Sequence, residues 1–332
     1  MSAYIETIKA KAKKLQRRIV LPEGTDIRPL KAAEILIKDG TVKEVVIVGD
    51  PDAVRALAKQ NSVSIDGATI IDPKTAPERE DYIEYLFNRR KEKGMTKDQA
   101  RDIIENKVMF FGAALVAKDR VDGMVGGCIH PTADMIRSTL FLVGLKPGNK
   151  TISSFFIMIH PDRSFFNDGV FMYADCGVVP NPTAEQLADI AEATAGSYRS
   201  LVADDPRVAL LSFSTKGSAT DPIVDKVIEA KKLLDTRKPN FPYDGELQFD
   251  AAMMPDIAKR KSPGSPIEGK ANIFIFPDLN AGNICYKATE RLAKCAALGP
   301  ILQGGAKPMN DLSRGCSAQD IAEITLITAL QV

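Results

Sequence analysis

Short runs rich in β-branched and apolar residues alternate with helical-period stretches along almost the whole chain, and this alternation constrains the fold more than any other feature. Strands are predicted at Arg18–Pro22, Glu44–Gly49, Ala68–Asp72 and Asp122–Gly126. A second set is predicted at Ile152–His160, Gly169–Val179, Arg207–Ser214, Ala271–Pro277 and Pro300–Gly304. Helical periodicity marks Arg28–Asp39, Arg79–Lys93, Asp98–Ala117, Ala184–Leu201, Pro222–Asp235, Asn283–Cys295 and Ala318–Leu330. Strand–helix alternation of this kind implies an α/β fold with largely parallel sheets. A chain of 332 residues exceeds one simple layered core, so two domains are expected. The turn-forming run Lys146–Lys150 is the predicted boundary, and a second weak point lies near Ala297–Pro300. The strand and helix beyond it are too small for a domain. They are expected to return to the first, giving 1–149 plus 300–332 against 150–299.

The balance of 44 basic against 43 acidic residues creates no global field, so neither nucleic acid nor a membrane surface is advertised as a partner. Positive charge for an anionic ligand must be gathered from placed arginines. Five cysteines form no Cys-x-x-Cys pair, which argues against zinc and against a disulfide framework and for reduced thiols in the cytoplasm. With only His130 and His160, a His-rich metal centre is excluded, and no metal is expected. The N-terminal lysines precede an amphipathic pattern (Ile5, Ile8, Ala12, Leu15) instead of an apolar leader. No run approaches the ~20 apolar residues of a membrane span. A soluble, unprocessed chain is expected.

Several familiar motifs fail on inspection. Gly264–Lys270 fits most of a phosphate-binding P-loop, but Ala271 replaces the hydroxyl residue and a strand-like run follows where a helix must begin. Neither Gly-x-Gly-x-x-Gly nor Gly-x-Ser-x-Gly occurs. One constellation survives. Ser313-Arg314-Gly315 precedes the last helix, where Ser317 is a natural N-cap and Asp320 completes a capping-box pattern. Helix start and anion site are both open readings of it: the helix N-terminus favours an anion, Gly315 permits close approach, and Arg314 offers a planar fork to phosphate oxygens. Arg28 and Arg137 follow predicted strands, Arg90 ends a predicted helix, and His130 stands just beyond Asp122–Gly126.

Over essentially its whole length the sequence resembles the phosphate acetyl/butyryltransferase family. The resemblance is carried by Leu21–Arg28, Asp122–Arg137, Ser214–Ser218, Asp244–Gln248, Pro277–Asn283 and, most specifically, Gly304–Ser317. Acetyl-type members match more closely, particularly through Lys307–Arg314. The resemblance implies two α/β domains with a cleft between them, as in isocitrate and isopropylmalate dehydrogenases, and a homodimer. It implies reversible acetyl transfer between coenzyme A and phosphate, with coenzyme A as substrate and no cofactor. Ser313 and Arg314 would contact the reacting groups, and Asp320 would serve as base for the thiol. Arg28, Arg90 and Arg137 would bind phosphates, and His130, Lys216 and Gly217 would join the substrate-binding set. Two departures fall beside Arg137: Pro131 where relatives usually carry Ser or Thr, and Ser138 where they usually carry Pro.

Proton transfer from an ordinary thiol at ~8.5 to an ordinary carboxylate at ~3.9 is uphill by ~4.6 pH units, roughly 6 kcal/mol. Concerted attack in a ternary complex is therefore expected, with Arg314 and backbone amides stabilising the oxyanion. A covalent acyl-Ser313 is disfavoured, because neither histidine matches a base position for it. Butyryl or propanoyl transfer is the nearest alternative. A metal- and nicotinamide-dependent dehydrogenase of the same fold would need a matching aspartate cluster, which is not found. A non-catalytic regulatory module is the remaining alternative; the intact Ser313–Arg314 run and the absence of a fused partner speak against it.

Overall fold

The computed structural model describes residues 3–332. Eleven strands carry the sheets: β1 Arg18–Leu21, β2 Glu44–Val48, β3 Thr69–Ile71, β4 Gly123–Gly126, β5 Ser153–Ile159 and β6 Val170–Ala174. The rest are β7 Val208–Leu211, β8 Tyr243–Leu247, β9 Ile273–Ile275, β10 Ala296–Gln303 and β11 Met309–Asp311. The chain divides into two compact units, Met1–Pro147 with Gly305–Val332, and Gly148–Gly304.

The first unit holds a five-stranded sheet of order β11-β4-β1-β2-β3, every pair parallel. Parallel neighbours require crossover connections, and amphipathic helices such as Ile27–Asp39 supply them. That helix opens on the Asp26 side chain, which accepts the Arg28 N–H, and closes on left-handed Gly40 (φ 59°). The chain winds outward from β1 to β3, then returns to β4 on the other side of β1. Doubly wound sheets present ligand sites at such a reversal, beyond the carboxyl ends of the strands.

The second unit holds a six-stranded sheet of order β10-β5-β6-β9-β7-β8. Its core is aromatic: Phe171, Tyr173 and Phe274 meet edge to face.

Three expectations need correction. The strand expected at Pro300–Gly304 belongs to β10, which pairs antiparallel with β5 in the second sheet; the strand that returns to the first sheet is β11. The sheets are largely parallel, as expected; only β5 runs antiparallel to its neighbours, β10 and β6. The single helix expected at Asp98–Ala117 breaks at extended Lys107 into amphipathic Lys97–Asn106 and an almost wholly buried Val108–Ala117. The strand expected at Gly169–Val179 stops at Ala174, because the Asp175 carboxylate turns the chain by accepting the N–H groups of Gly177, Val178 and Val179. β8 and β11 escaped prediction. Tyr-Asp-Gly-Glu-Leu and Met-Asn-Asp carry the wrong composition for strands, yet Asp244, Glu246, Asn310 and Asp311 are all buried.

Candidate functional site

Three loops of the first unit meet beyond the carboxyl ends of β1, β4 and β11, and Arg28 joins them. Its Nε and one Nη2 proton bind the Asp26 carboxylate at 2.9 and 2.8 Å. The second Nη2 proton goes to the Cys128 carbonyl at 2.9 Å, and Nη1 serves the carbonyls of Arg314 and Cys316 at 2.8 and 3.2 Å. A guanidinium has five N–H donors, and all five are used. Arg28 joins the Arg314 loop to the loop after β4, with protein carbonyls and Asp26 around its fork.

The loop it holds is the one singled out in the sequence. Ser313 Oγ accepts the Gly315 N–H at 3.3 Å, which turns the backbone tightly before the last helix. Ser317 Oγ accepts the Asp320 N–H at 3.1 Å, and Asp320 Oδ2 accepts the Ser317 N–H at 2.8 Å. The reciprocal capping box is thus formed, and it commits Asp320 to the helix start. Arg314 is exposed, and among the described residues its guanidinium has no ion-pair or hydrogen-bond partner.

Two residues that sequence reasoning did not single out organise this region. Glu23, 1% exposed, follows β1 and receives four successive backbone N–H groups across the reversal point. Gly127 and Cys128 donate to Oε2 at 2.8 and 2.9 Å, and Ile129 and His130 to Oε1 at 2.9 and 3.0 Å. The His130 ring adds Nδ1 at 2.8 Å to Oε1. Burial alone would raise this carboxyl, but the ring, Cys128 and the amides outweigh it and bring it down to about 2. Glu23 in return raises the His130 imidazole. Asp311 is the second. It ends β11, accepts the Thr132 hydroxyl at 2.5 Å on Oδ2, and leaves Oδ1 without a partner that meets hydrogen-bond geometry. Burial pushes it up to about 6, against the Thr132 hydroxyl and the nearby Leu312 amide. For Glu23 the available signal was position, an acid beside Gly24 just past the first predicted strand; Asp311 offered none, because β11 itself escaped prediction.

Arg137 is exposed and pairs with Asp134 at 3.4 Å on the helix Thr132–Ser138. The departures beside it are accommodated: Pro131 takes the N-cap position in extended backbone, and Ser138 Oγ returns to the Met135 carbonyl at 2.9 Å. Arg90 stacks 3.8 Å over the Phe141 ring and lines a cavity of about 750 Å³ with Lys93, Met95 and Lys107. Lys216 and Gly217 lie in the second unit. Lys216 pairs with buried Asp244, and the Gly217 N–H donates to Glu246 at 2.7 Å, so both brace buried acids there. Among the described residues no three His, Cys, Asp or Glu side chains gather to hold a metal ion, and no helix is long and apolar enough to cross a membrane.

The fold defines a two-unit α/β protein of a class shared with dehydrogenases. The 4-hydroxythreonine-4-phosphate dehydrogenase of Klebsiella pneumoniae has a similar fold at 10% identity, with a TM-score of 0.56 over 96% of this chain and all of that one. Residues 3–329 match the family described as "Phosphate acetyl/butaryl transferase". The chain is 46% identical to a phosphate acetyltransferase of Acetivibrio thermocellus, over 99% of its own length and 98% of that protein's. A phosphotransacetylase crystal structure from Streptococcus pyogenes is 40% identical, with a TM-score of 0.92 over all of this chain and 99% of that one. The chain belongs to the phosphate acetyl/butyryl transferase family.

Proposed function

We propose that this chain is a phosphate acetyltransferase that moves an acetyl group reversibly between coenzyme A and phosphate, by direct attack of the thiol on acetyl phosphate in a ternary complex. The relatives' shared activity supports the reaction. One observation carries the assignment of the site: Arg314 is the exposed, unpaired cation on a loop that Arg28 and the capping box hold rigid. A planar fork fixed this way suits the phosphate oxygens and the carbonyl oxyanion that develop together. Ser313, one residue earlier, is assigned to hydrogen-bond the thiol or that oxyanion. Arg90 and Arg137, each with donors to spare, are assigned to the phosphates of coenzyme A. Lys216 and Gly217 are assigned to bracing, as is Arg28.

A homodimer is proposed from the second unit. The helix Leu279–Leu292 buries only Gly282 and leaves Ile284 and Leu292 exposed at 68% and 84%, next to the edge strand β10. A second copy of the chain would cover both. Free cysteines, four of the five buried, fit a reducing cytoplasm.

Rates with acetyl-, propanoyl- and butyryl-coenzyme A and phosphate test the reading, with the highest kcat/KM expected for acetyl. A butyryl preference would move the chain to the other branch of the family. Arg314→Lys keeps the charge and loses the fork, and kcat should fall by roughly 10²-fold. Unchanged turnover would remove Arg314 from the reaction.

A further inference from the structure

Within the first unit, and resting on the reading above, we propose that Asp311 and Thr132 are positioning residues, whose hydrogen bond clasps the helix carrying Arg137 to the strand that leads into Ser313 and Arg314. Thr132 opens the helix Thr132–Ser138, and Arg137 stands near its end. Asp311 is the last residue of β11, two before Ser313. The Thr132 hydroxyl donates to Asp311 Oδ2 at 2.5 Å. The buried acid is confined on its other side as well. A Cβ added at Gly127 would overlap Oδ1, so the carboxyl occupies space that only glycine leaves open. β11 pairs with β4 through Asp311 and Gly126, which brings the acid over the turn that runs on to Thr132.

The helix has little else to hold its register. Pro131 takes the N-cap position, and a proline there brings no side-chain acceptor to the helix start. The hydroxyls of Ser138 and Thr139 both return to the Met135 carbonyl. Arg137 pairs with Asp134 of the same helix at 3.4 Å, so the guanidinium goes where the helix goes. Among the described residues the Thr132–Asp311 bond is therefore the only side-chain hydrogen bond that leaves the helix. Buried Met135 fixes which face packs inward, but apolar contact is non-directional and sets no exact register. The hydrogen bond does. Arg314 follows Asp311 by three residues, and Arg137 follows Thr132 by five, roughly 7.5 Å along the helix axis. Arg28 already ties the turn at Cys128 to the Arg314 loop, and the clasp carries that tie past Pro131 to the helix. With Arg137 on the phosphates of coenzyme A and Arg314 at the reacting carbonyl, the clasp sets the distance between where the substrate is gripped and where it reacts. Misplacement of that kind costs rate more than affinity.

The test is a double-mutant cycle on the full chain, with kcat and the KM for coenzyme A measured at saturating acetyl phosphate and thermal unfolding followed in parallel. Thr132→Val removes the hydroxyl at nearly constant volume. It should lower kcat by roughly tenfold and change the KM by less than about twofold. Thr132→Ser restores the hydroxyl and should recover most of that loss. In an Arg137→Ala background, where the grip is gone, Thr132→Val should lower kcat by less than about twofold, well short of additivity. Equal losses in the two backgrounds, a loss confined to KM, or an unchanged kcat in Thr132→Val would each overturn the clasp, while wild-type acetyl transfer left the functional reading intact. No transfer by the wild type would remove both. Should Thr132→Val unfold below the assay temperature, Asp311→Ala takes its place in the same cycle, with the same expected split and the same overturning results.

Discussion

Glu23 and Asp311 are both buried carboxyls, and they stand on opposite sides of β4, one after β1 and one at the end of β11. Glu23 gathers four amides and an imidazole and is held down to about 2, whereas Asp311 has one hydroxyl and an orphaned oxygen and is pushed up to about 6. Burial is common to both, so it is the number of donors that decides the charge. The first acid stabilises its turn as an anion. The second is destabilised whenever it ionises, two residues before Ser313.

The contrast breaks most visibly at Glu23. Glu23→Ala leaves four amides and the His130 ring without their acceptor, and unfolding free energy should drop by about 4 kcal/mol in denaturant titration. The effect has a pH window. A carboxyl lowered from 4.5 to about 2 contributes about 3 kcal/mol above its unfolded value, lost as pH falls towards 2. A loss under about 1 kcal/mol would mean that the nest is satisfied by water.

Asp311→Asn should act in the opposite direction. A carboxyl raised from 3.8 to about 6 costs stability once ionised, up to about 3 kcal/mol above pH 6, and the cost is relieved as pH falls through 6 towards 4. The amide removes that charge, and thermal denaturation at pH 7.5 should show a gain of about 2 kcal/mol that vanishes near pH 4. A destabilised variant would show that the Thr132 bond to the charged form outweighs the orphaned oxygen. Asp320→Asn is the smallest change. It weakens the reciprocal cap and should cost about 1 kcal/mol by the same measurement.

Local features were legible throughout. The helix Ala318–Leu330, its Ser317 N-cap and the Asp320 box follow from spacing within one turn, and the structure places each as expected. The pattern of strands followed from apolar runs, except where buried acids disguise β8 and β11. Partnership was not legible. Arg28 read as a free cation, because the carbonyls that saturate it lie up to 288 positions away. Pro300–Gly304 read as returning to the first sheet, since an apolar period marks a strand without naming its neighbour.

By itself, then, the sequence determined the α/β class, the Ser313–Arg314 loop and the helix that caps it, because propensity, periodicity and capping act over a few residues. Only the tertiary structure decided that Glu23 meets His130 across 107 positions, that Arg28 braces the site, and that Asp311 stands nearly alone. Such pairings depend on which strands lie side by side, and residue spacing along the chain carries no record of that.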